Sequence, residues 1–415
     1  MQEHDVAIVG AGAAGLLAAI RAADRELSVV VLDKMSLPGR KLMITGKGRC
    51  NITNSADIDD FLMQVYPDGR FLYPAFKKFF SYEIIGLLEE CGVESMLERG
   101  GRYFPKSEKA DDVVDALYKK ALKNGVNFIF NAKVNKIHYN NNDEVSGIEY
   151  VEGSKMKTLD VFNVIICTGG KSYPGTGSSG DGYVFARDAG HKIENLFPVL
   201  VPLETKEMHA AEMQGLTLKN INAKVLINGE LKHEEFGDLL FTHFGLSGPV
   251  ILTISRNVVY ALDKGNDVKI QIDFKPALDV EKLDARVMRD LNENGKKKIG
   301  NLFRKLLPQK AIPVFLNVLS LDENKLANQI SAVERKAIVE LLKGMDFTVV
   351  GHRGFKEAVI TAGGVCLKEI NPKTMQSKLK KGLYFAGEVL DLDANTGGYN
   401  LQIAFSTGWL AADSI

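Results

Sequence analysis

Cysteine is scarce in this chain, and no two cysteines lie close together in the sequence. The 415 residues contain only Cys50, Cys91, Cys167 and Cys366, with no C-x-x-C pair among them. Because disulfide frameworks and zinc sites need clustered or regularly spaced cysteines, we expect neither a disulfide nor a metal site. A protein of the reducing cytoplasm fits this composition.

Two other absences narrow the class of protein. No apolar run reaches the roughly 18 residues of a membrane-spanning helix, and the start, MQEHDVAIVG, lacks the cationic leader of a signal peptide. We therefore expect no membrane partner. Lysine plus arginine and aspartate plus glutamate both total 52, so a polyanionic partner would have to bind a local patch.

The beginning of the chain has the pattern of a dinucleotide-binding βαβ unit. Asp5–Val9 predicts a buried strand, GAGAAG places Gly10, Gly12 and Gly15 in G-x-G-x-x-G spacing, and a helical stretch leads to a second strand ending at Asp33. Gly10 would form the tight turn, Gly12 would admit a pyrophosphate, and Gly15 would let helix and strand pack closely. Asp33 falls where a carboxylate can bind a ribose hydroxyl. The unit alone does not distinguish NAD from FAD.

A basic, glycine-rich segment follows the second strand. GRKLMITGKGRCNITN, Gly39–Asn54, contains Arg40, Lys41, Lys47 and Arg49 and no carboxylate. Its cations and backbone N–H groups could face the pyrophosphate of a bound dinucleotide. A solvated basic loop is the alternative interpretation.

This segment resembles the signature of the YhiN/BaiN-like flavoproteins, a family of FAD-dependent oxidoreductases. Further stretches resemble the family in the same order: TGGKSYPGTGSSGDGYVFARDAGH (Thr168–His191), LLFTHFGLSGP (Leu239–Pro249), ITAGGV (Ile360–Val365) and LYFAGEVLDLDANTGGYNLQIAFSTGWLAA (Leu383–Ala412). Asp33 departs from the pattern, because such flavoproteins commonly have Glu at that position.

The resemblance implies FAD as the cofactor, and we expect NADH or NADPH as the electron donor. It implies that the glycine motif holds the ADP half, that the basic segment runs along the cofactor toward the flavin, and that the backbone of Val134 reaches the adenine. The cofactor-binding residues expected on this basis are Gly10, Gly12, Ala13, Ala14, Gly15, Asp33, Lys34, Arg40, Lys41, Gly46, Arg49, Cys50, Asn51, Val134, Thr168, Gly169, Gly170, Gly387, Glu388, Gly397, Gly398, Tyr399, Asn400 and Leu401.

The C-terminal stretch also has the features of a turn that could hold a flavin. GLYFAGE predicts a strand and a tight turn ending at Glu388, and a glycine-rich turn then enters an apolar helix near Gly397–Leu401. N–H groups at that helix N-terminus could face the N1–C2=O2 edge of a flavin, where negative charge develops on reduction. A helix cap without a ligand is the alternative.

The fold class predicted from these elements is α/β, with a discontinuous Rossmann-like FAD-binding domain. That domain would comprise residues 1–195 and 353–415. Residues 196–352 would form an inserted substrate or cap domain, β-rich to about residue 275 and helical beyond it. No second G-x-G-x-x-G occurs in a strand–turn–helix setting, so a separate NAD(P)H domain is not expected.

Three side chains are candidates for donating a proton to a substrate. They are His243 in FTHFGLSGP, Tyr173 in GGKSYPGTG and Tyr399 in GGYN. A structural hydrogen bond for His243, and packing for either tyrosine, would explain the same residues. Cys50 invites a redox interpretation, but no partner cysteine is near in sequence, and a small buried residue is the preferred interpretation.

These features favour an FAD-dependent reductase of an activated C=C bond. The resemblance implies two kinds of substrate: uridine in large-subunit ribosomal RNA, which gives dihydrouridine, and steroid enones of the bile-acid type. Gly295–Lys310 contains six cations and no carboxylate, which favours RNA, although a solvated surface would look the same. A small-molecule steroid or quinone reductase and a non-catalytic FAD-binding module are the alternatives, and the sequence leaves the oligomeric state open.

Overall fold

The chain divides into two compact units. The computed structural model describes residues 3–415. One unit consists of the chain up to Pro198 together with Val359–Ile415, and the other is Val199–Ala358. The chain passes from one unit to the other at residues 198/199 and 358/359, close to the expected domain boundaries at 195/196 and 352/353.

The first unit is built on a sheet with a parallel half. Its parallel strands lie in the order Asn127–Phe130, Val29–Asp33, Glu3–Val9, Lys155–Ile166 and Leu383–Phe385. The carboxyl ends of parallel strands meet at one edge, which is where open α/β sheets bind ligands. The predicted α/β, Rossmann-like fold class is confirmed.

Antiparallel strands extend this sheet. The first half of Lys155–Ile166 pairs with Val145–Glu152, which pairs in turn with Ala132–Tyr139. Small sheets add the remaining strands: Thr53–Asn54 with Arg102–Pro105 and Ser95–Glu98, Val65–Tyr66 with Asp393–Ala394, and Phe197–Val199 with Ile360–Ala362.

The helices of the first unit include three with several alanines, Ala13–Asp24, Ala110–Lys123 and Tyr399–Asp413. The helices of the first unit are Ala13–Asp24, Arg40–Ile44, Ile58–Leu62, Tyr73–Lys78, Ser81–Glu90, Ala110–Lys123, Asp181–Asp188 and Tyr399–Asp413. The first and the last of these pack closely, because a Cβ at Gly408 would lie 2.2 Å from the carbonyl oxygen of Ala14. Small residues at this contact bring the C-terminal helix against the helix of the βαβ unit.

The second unit is built on a closed, antiparallel six-stranded barrel. Its strands, in spatial order, are Leu203–Thr205, Gly245–Ser247, Glu230–Thr242, Thr217–Ile227, Val268–Asp273 and Met345–His352. The last strand pairs with the first and closes the barrel, so no strand is left as a free edge.

The helices of the second unit depart in part from the expected order. They are His209–Glu212, Pro249–Asp263, Val280–Glu293, Ile299–Leu306, Ile312–Val318, Ala332–Lys343 and Gly354–Glu357. Pro249–Asp263 lies in the half expected to be β-rich, and the strand Met345–His352 lies in the half expected to be helical. Met345–His352 pairs with Leu203–Thr205 on one side and Val268–Asp273 on the other, and its alternating, β-branched sequence suits a strand.

Three general features of residues 3–415 bear on function. No helix in this range has both the length and the apolar composition needed to cross a membrane. Within the same range, no three His, Cys, Asp or Glu side chains cluster as metal ligands would. All four cysteines are free thiols.

Candidate cofactor cleft

The first βα turn has the close contacts that its glycines predict. Gly10 has φ = +105°, and a Cβ there would lie 2.6 Å from the carbonyl oxygen of Cys167. A Cβ at Gly15 would lie 1.9 Å from the carbonyl oxygen of Gly10. A Cβ at Gly12 would meet nothing within 4 Å, so this residue faces open space. The motif therefore combines two sterically obligatory glycines with one that leaves room for a ligand.

The helix that follows offers free N–H groups to that space. Gly12 is the N-cap of Ala13–Asp24 and supplies no side-chain cap. The first N–H groups of a helix have no intrahelical acceptor, and the positive end of the helix dipole lies beside them. Phosphate is the ligand chemistry that such a terminus binds.

Asp33 lies at the end of the adjacent strand and is held by two backbone donors. Its carboxylate accepts hydrogen bonds of 2.7 Å from the N–H groups of Ala11 and Met35. Burial raises the pKa of Asp33, and these two N–H groups act in the opposite direction. Each oxygen keeps an acceptor site, so the carboxylate can also bind a ribose hydroxyl.

A cleft at this edge of the sheet collects most of the expected cofactor-binding residues. It has about 1290 Å³ of empty space, including its open mouth, and only residues of the first unit line it. The expected residues in the lining are Gly10, Gly12, Ala13, Ala14, Asp33, Lys34, Arg40, Lys41, Val134, Thr168, Gly169, Gly387, Glu388, Asn400 and Leu401. Those outside the lining are Gly15, Gly46, Arg49, Cys50, Asn51, Gly170, Gly397, Gly398 and Tyr399.

A charged network joins four segments of the cleft. The Lys41 ammonium donates to Glu388 Oε2 and Ser172 Oγ at 2.6 Å, and Ser172 donates to Glu388 Oε1 at 2.8 Å. The Thr361 N–H donates to the same Oε1 at 2.9 Å. A Cβ at Gly170 would lie 2.7 Å from that oxygen, so glycine is needed there. Sequence reasoning missed Ser172 and Thr361, and only the resemblance of SYPG and ITAGG to the family marked their segments.

The other cations near the cleft have different partners. Lys34 donates to Ser179 and forms a 2.5 Å ion pair with Asp181. Arg49 pairs with Glu98 and with Glu108, and its guanidinium lies 4.3 Å from the centre of the Phe104 ring. The cleft contact expected of Arg49 therefore stays a prediction, while its contacts in the structure fasten the basic segment to a neighbouring strand.

The segment between Gly46 and Asn51 has an unusual backbone. Gly46, Lys47, Gly48 and Cys50 all have positive φ, between +58° and +85°. The Cys50 side chain is fully buried, and burial raises the pKa of its thiol to about 12. Such a thiol is a neutral core group rather than a redox nucleophile. Asn51 follows with a buried Oδ1 that has no hydrogen-bond partner among residues 3–415.

The C-terminal turn is tightly built. Gly398 is the N-cap of Tyr399–Asp413, with φ = +97°, and a Cβ there would lie 2.4 Å from the carbonyl oxygen of Thr53. A Cβ at Gly397 would lie 2.6 Å from the Tyr399 ring. The Asn400 side chain fastens the turn through its hydrogen bonds of 2.8 and 2.7 Å to the backbone of Ala394.

The three proton-donor candidates have different surroundings. The Tyr399 ring packs edge-on against Phe61, with centroids 4.6 Å apart, and burial followed by the charge of Asp60 raises its pKa. Tyr173 has φ = +51° on the loop that precedes two cleft-lining residues, Thr176 and Gly177. His243 is exposed in the second unit, with its ring 5.0 Å from that of Phe244. Their roles as proton donors stay predictions.

The cleft fits the dinucleotide that the resemblance implies. An open space beside Gly12, an uncapped helix N-terminus and a carboxylate at the end of the next strand suit a pyrophosphate and a ribose. Arg40 lines the same cleft and adds positive charge, whereas the charge of Lys41 is paired with Glu388.

Known proteins resemble this chain along nearly its whole length. The family model described as the HI0933-like protein Rossmann domain matches residues 4–414. The chain is 30% identical over 410 residues to a 3-dehydro-bile acid delta(4,6)-reductase of Clostridium scindens, covering 98% of this chain and 97% of that protein. It is 31% identical over 408 residues to a ribosomal RNA dihydrouridine synthase of Haemophilus influenzae, with the same coverage.

A solved structure shares the fold. It is a 3-ketosteroid-delta4-(5alpha)-dehydrogenase of Rhodococcus jostii in complex with 4-androstene-3,17-dione, with 16% identity and a TM-score of 0.52 over 99% of this chain and 96% of that one. At this identity the likeness shows the fold alone. The family match over nearly all residues and the two full-length relatives show that the chain belongs to the HI0933-like family of FAD-dependent oxidoreductases.

Proposed function

We propose that this protein reduces a carbonyl-conjugated C=C bond and that its substrate is a uridine of large-subunit ribosomal RNA. The observation that carries the proposal is the full-length similarity to two reductases with different substrates. Dihydrouridine is uridine with its C5=C6 bond saturated, and a delta(4,6)-reductase of a 3-oxo steroid also reduces double bonds conjugated to a carbonyl. Both named activities reduce a C=C bond conjugated to a carbonyl, and we assign this reaction to the chain.

The RNA substrate is favoured by a second relative with that activity. The chain is 29% identical over 417 residues to a ribosomal RNA dihydrouridine synthase of Escherichia coli, covering all of this chain and 98% of that protein. Two full-length relatives from different bacteria are therefore described as ribosomal RNA dihydrouridine synthases. With an RNA substrate, we also propose a cytoplasmic location.

The chain's own residues bind and orient the cofactor in this proposal. FAD, when bound and reduced, supplies a hydride to the electron-poor carbon of the substrate, and we propose NADH or NADPH as the source of electrons. Gly12 and the helix N-terminus would hold the pyrophosphate, and Asp33 would hold the ribose of the ADP half, because Gly12 faces open space and the Asp33 carboxylate keeps acceptor sites. The Lys41–Glu388 pair fixes the cleft wall.

A proton must also reach the neighbouring substrate carbon. Tyr173, Tyr399 and His243 remain the candidates, and substitution by Phe or Gln distinguishes them. The donor's variant should slow substrate-dependent oxidation of the reduced enzyme without releasing FAD. A purely packing side chain should instead change stability or FAD content.

Nucleoside mass spectrometry tests the proposed function. Large-subunit ribosomal RNA from a deletion strain should lack a dihydrouridine that the parent has, and the wild-type gene should restore it. A Gly12→Ala gene expressed at the same level should restore less of it, because its product should bind FAD more weakly. An unchanged dihydrouridine content in the deletion strain would contradict the RNA assignment.

A small-molecule enone is the second candidate. The specific observation in its favour is the 30% identity over 98% of the chain to the bile acid reductase. With this substrate the ribosomal RNA would be unchanged, and the anaerobically reduced protein would be reoxidised by a steroid dienone. A protein that binds FAD tightly but passes electrons to neither substrate would contradict both candidates and favour a binding module.

A further inference from the structure

The segment Gly295–Lys310 of the second unit exposes all its charged side chains and buries its large apolar ones. Its helix, Ile299–Leu306, buries one face, and all six cations of the segment are exposed. The buried side chains are Ile299, Leu302, Phe303, Leu306 and Leu307, each at most 5% exposed. We call the set Lys296, Lys297, Lys298, Arg304, Lys305 and Lys310 the basic face.

The cations of the basic face keep their charge uncompensated. Lys297, Lys298 and Lys310 donate to neutral oxygens, namely Asn294 Oδ1 at 3.0 Å, Asn324 Oδ1 at 2.7 Å and the Gln214 carbonyl at 3.0 Å. Within residues 3–415, no carboxylate forms an ion pair with any of the six. The neutral acceptors orient the ammonium groups and leave their positive charge available to a partner.

Other surface lysines of the same unit behave differently. Lys232, Lys282 and Lys336 pair with Glu230, Asp279 and Glu340 at 2.6, 2.8 and 3.7 Å. A chain with equal numbers of cationic and acidic residues has carboxylates available for pairing, so their absence from the basic face is a local feature.

Three carboxylates lie near the basic face in the sequence or the structure. Glu293 precedes it, Asp322 accepts from the N–H of Asn324, and the Glu323 side chain lies beside Gly300, with its Cγ 2.8 Å from a Cβ built there. None of the three contacts a cation of the basic face within hydrogen-bonding distance in the described chain. The net charge of the basic face and its surroundings is therefore positive.

We propose that the basic face binds the phosphate backbone of the RNA substrate. This proposal rests on the proposed function, since it assigns a second contact surface to the same substrate. Phosphate contacts by exposed cations provide affinity and orientation without reading the sequence. The position of the target uridine is then selected at the cleft and by the fold of the RNA.

Because Phe303 is buried, the basic face should contact the phosphate backbone of RNA rather than its bases. Phe303 is 0% exposed, so its ring cannot stack on a base as aromatic residues of single-strand-binding proteins do. Apart from Pro308, the exposed side chains of the segment are its cations and the amides of Asn301 and Gln309. Binding through it should therefore depend strongly on salt and weakly on RNA sequence.

The test compares two variants of the full-length, FAD-loaded protein that lose the same charge. The test variant carries Lys296→Ala, Lys297→Ala and Lys298→Ala, and the control carries Lys232→Ala, Lys282→Ala and Lys336→Ala. Their affinity for protein-free large-subunit ribosomal RNA is measured at several salt concentrations. The test variant should bind about tenfold more weakly or worse at low salt, and its slope of log K against log salt should be shallower by about two to three.

The control variant should bind like the wild type, because each of its lysines is paired with a carboxylate. A second variant, Arg304→Gln with Lys305→Gln, changes only the exposed side of the helix and covers the case in which the triple variant folds poorly. It should reduce the slope by about two.

The outcomes separate this inference from the proposed function. An unchanged slope in both basic-face variants, with dihydrouridine still formed in cells, overturns the surface while the function stands. An equal loss of RNA affinity and of salt slope in the control variant also overturns the surface. RNA binding would then depend on the total charge of the protein rather than on the basic face. If the deletion strain keeps all the dihydrouridine of its parent, the proposed function itself is contradicted.

Discussion

At the residue scale, Gly12 and Gly15 differ in what surrounds them although one motif requires both. Gly15→Ala should destabilise the FAD-free protein by about 1–3 kcal/mol or more, because its Cβ would lie 1.9 Å from a backbone oxygen. Gly12→Ala should leave the FAD-free protein nearly as stable as the wild type, because its Cβ meets open space. It should weaken FAD binding about tenfold or more, because that space would hold the pyrophosphate.

Urea unfolding of the FAD-free variants and FAD titration by fluorescence quenching check this pair. Equal destabilisation by both substitutions would contradict the geometry of the turn. Normal FAD affinity in Gly12→Ala would contradict the assignment of the cleft.

A second prediction concerns His191, whose ring is buried. It hydrogen-bonds Ser377 at 2.7 Å and Glu369 at 3.0 Å. Burial lowers its pKa below the ordinary 6.5, and Glu369 opposes that shift only in part. The unfolded chain therefore takes up this proton first, and the stability contributed by neutral His191 is lost as the pH falls from about 6.5 through the lower folded pKa.

The free energy of unfolding should fall less steeply between about pH 7 and pH 5 in His191→Gln than in the wild type. The absolute stability of this variant will also drop, so the slope is the diagnostic quantity. An unaltered slope in His191→Gln would rule out the assigned role.

The residues that sequence predicted best are those whose partners are near in the chain. Gly15 packs on Gly10 within one βα turn, and Asp33 accepts a hydrogen bond from Ala11 within one βαβ unit, so the spacing of the motif located them, whereas the approach of Gly10 to Cys167 is long-range. Ser172 and Thr361 meet Glu388 only after the chain has folded, and no local pattern specifies that contact. The partners of Arg49 are also distant, and its charge alone suggested a phosphate instead.

At the scale of elements, the basic segment is ordered by backbone conformation as well as by charge. Lys47 is exposed and has φ = +61°, a conformation that costs an L-residue roughly 1–2 kcal/mol. Lys47→Gly should therefore be about 1 kcal/mol more stable than Lys47→Ala, although both remove the same charge. Chemical denaturation of the FAD-free proteins measures the difference, and equal stabilities would mean that Lys47 does not hold this conformation.

Elements of the second unit show where pattern reading fails. The strand Met345–His352 does have a local signal, because it follows Gly344, alternates buried and more exposed side chains, and contains β-branched residues, but the expectation of a helical half did not use it. It becomes a strand by pairing with Val268–Asp273 on one side and Leu203–Thr205 on the other. Barrel closure depends on contacts between residues far apart in sequence, so the sequence predicted a β-rich lobe but not a barrel.

At the scale of the whole molecule, the chain has two hydrophobic cores. One includes Phe61, Phe385 and Phe405, and the other includes Phe241 and Phe347, all fully buried. Each core lies within one compact unit, so we expect two calorimetric transitions. Adding FAD at about 100 times its Kd should stabilise the unit that contains the cleft by about 2.7 kcal/mol.

Core substitutions assign those transitions. Phe241→Ala should lower the transition that FAD leaves unmoved, by about 3–5 kcal/mol of stability, and Phe405→Ala should lower the FAD-sensitive one. A single transition that both substitutions and FAD shift together would contradict two separately cooperative units.

The central claim is that this chain holds FAD and passes its electrons to a uridine, and anaerobic reoxidation tests it most directly. The FAD-loaded protein is reduced without oxygen and mixed with large-subunit ribosomal RNA from the deletion strain. Flavin absorbance is followed while dihydrouridine is counted by mass spectrometry. The account predicts that the flavin is reoxidised and that one dihydrouridine forms per flavin oxidised, whereas flavin that stays reduced in the presence of this RNA would contradict it.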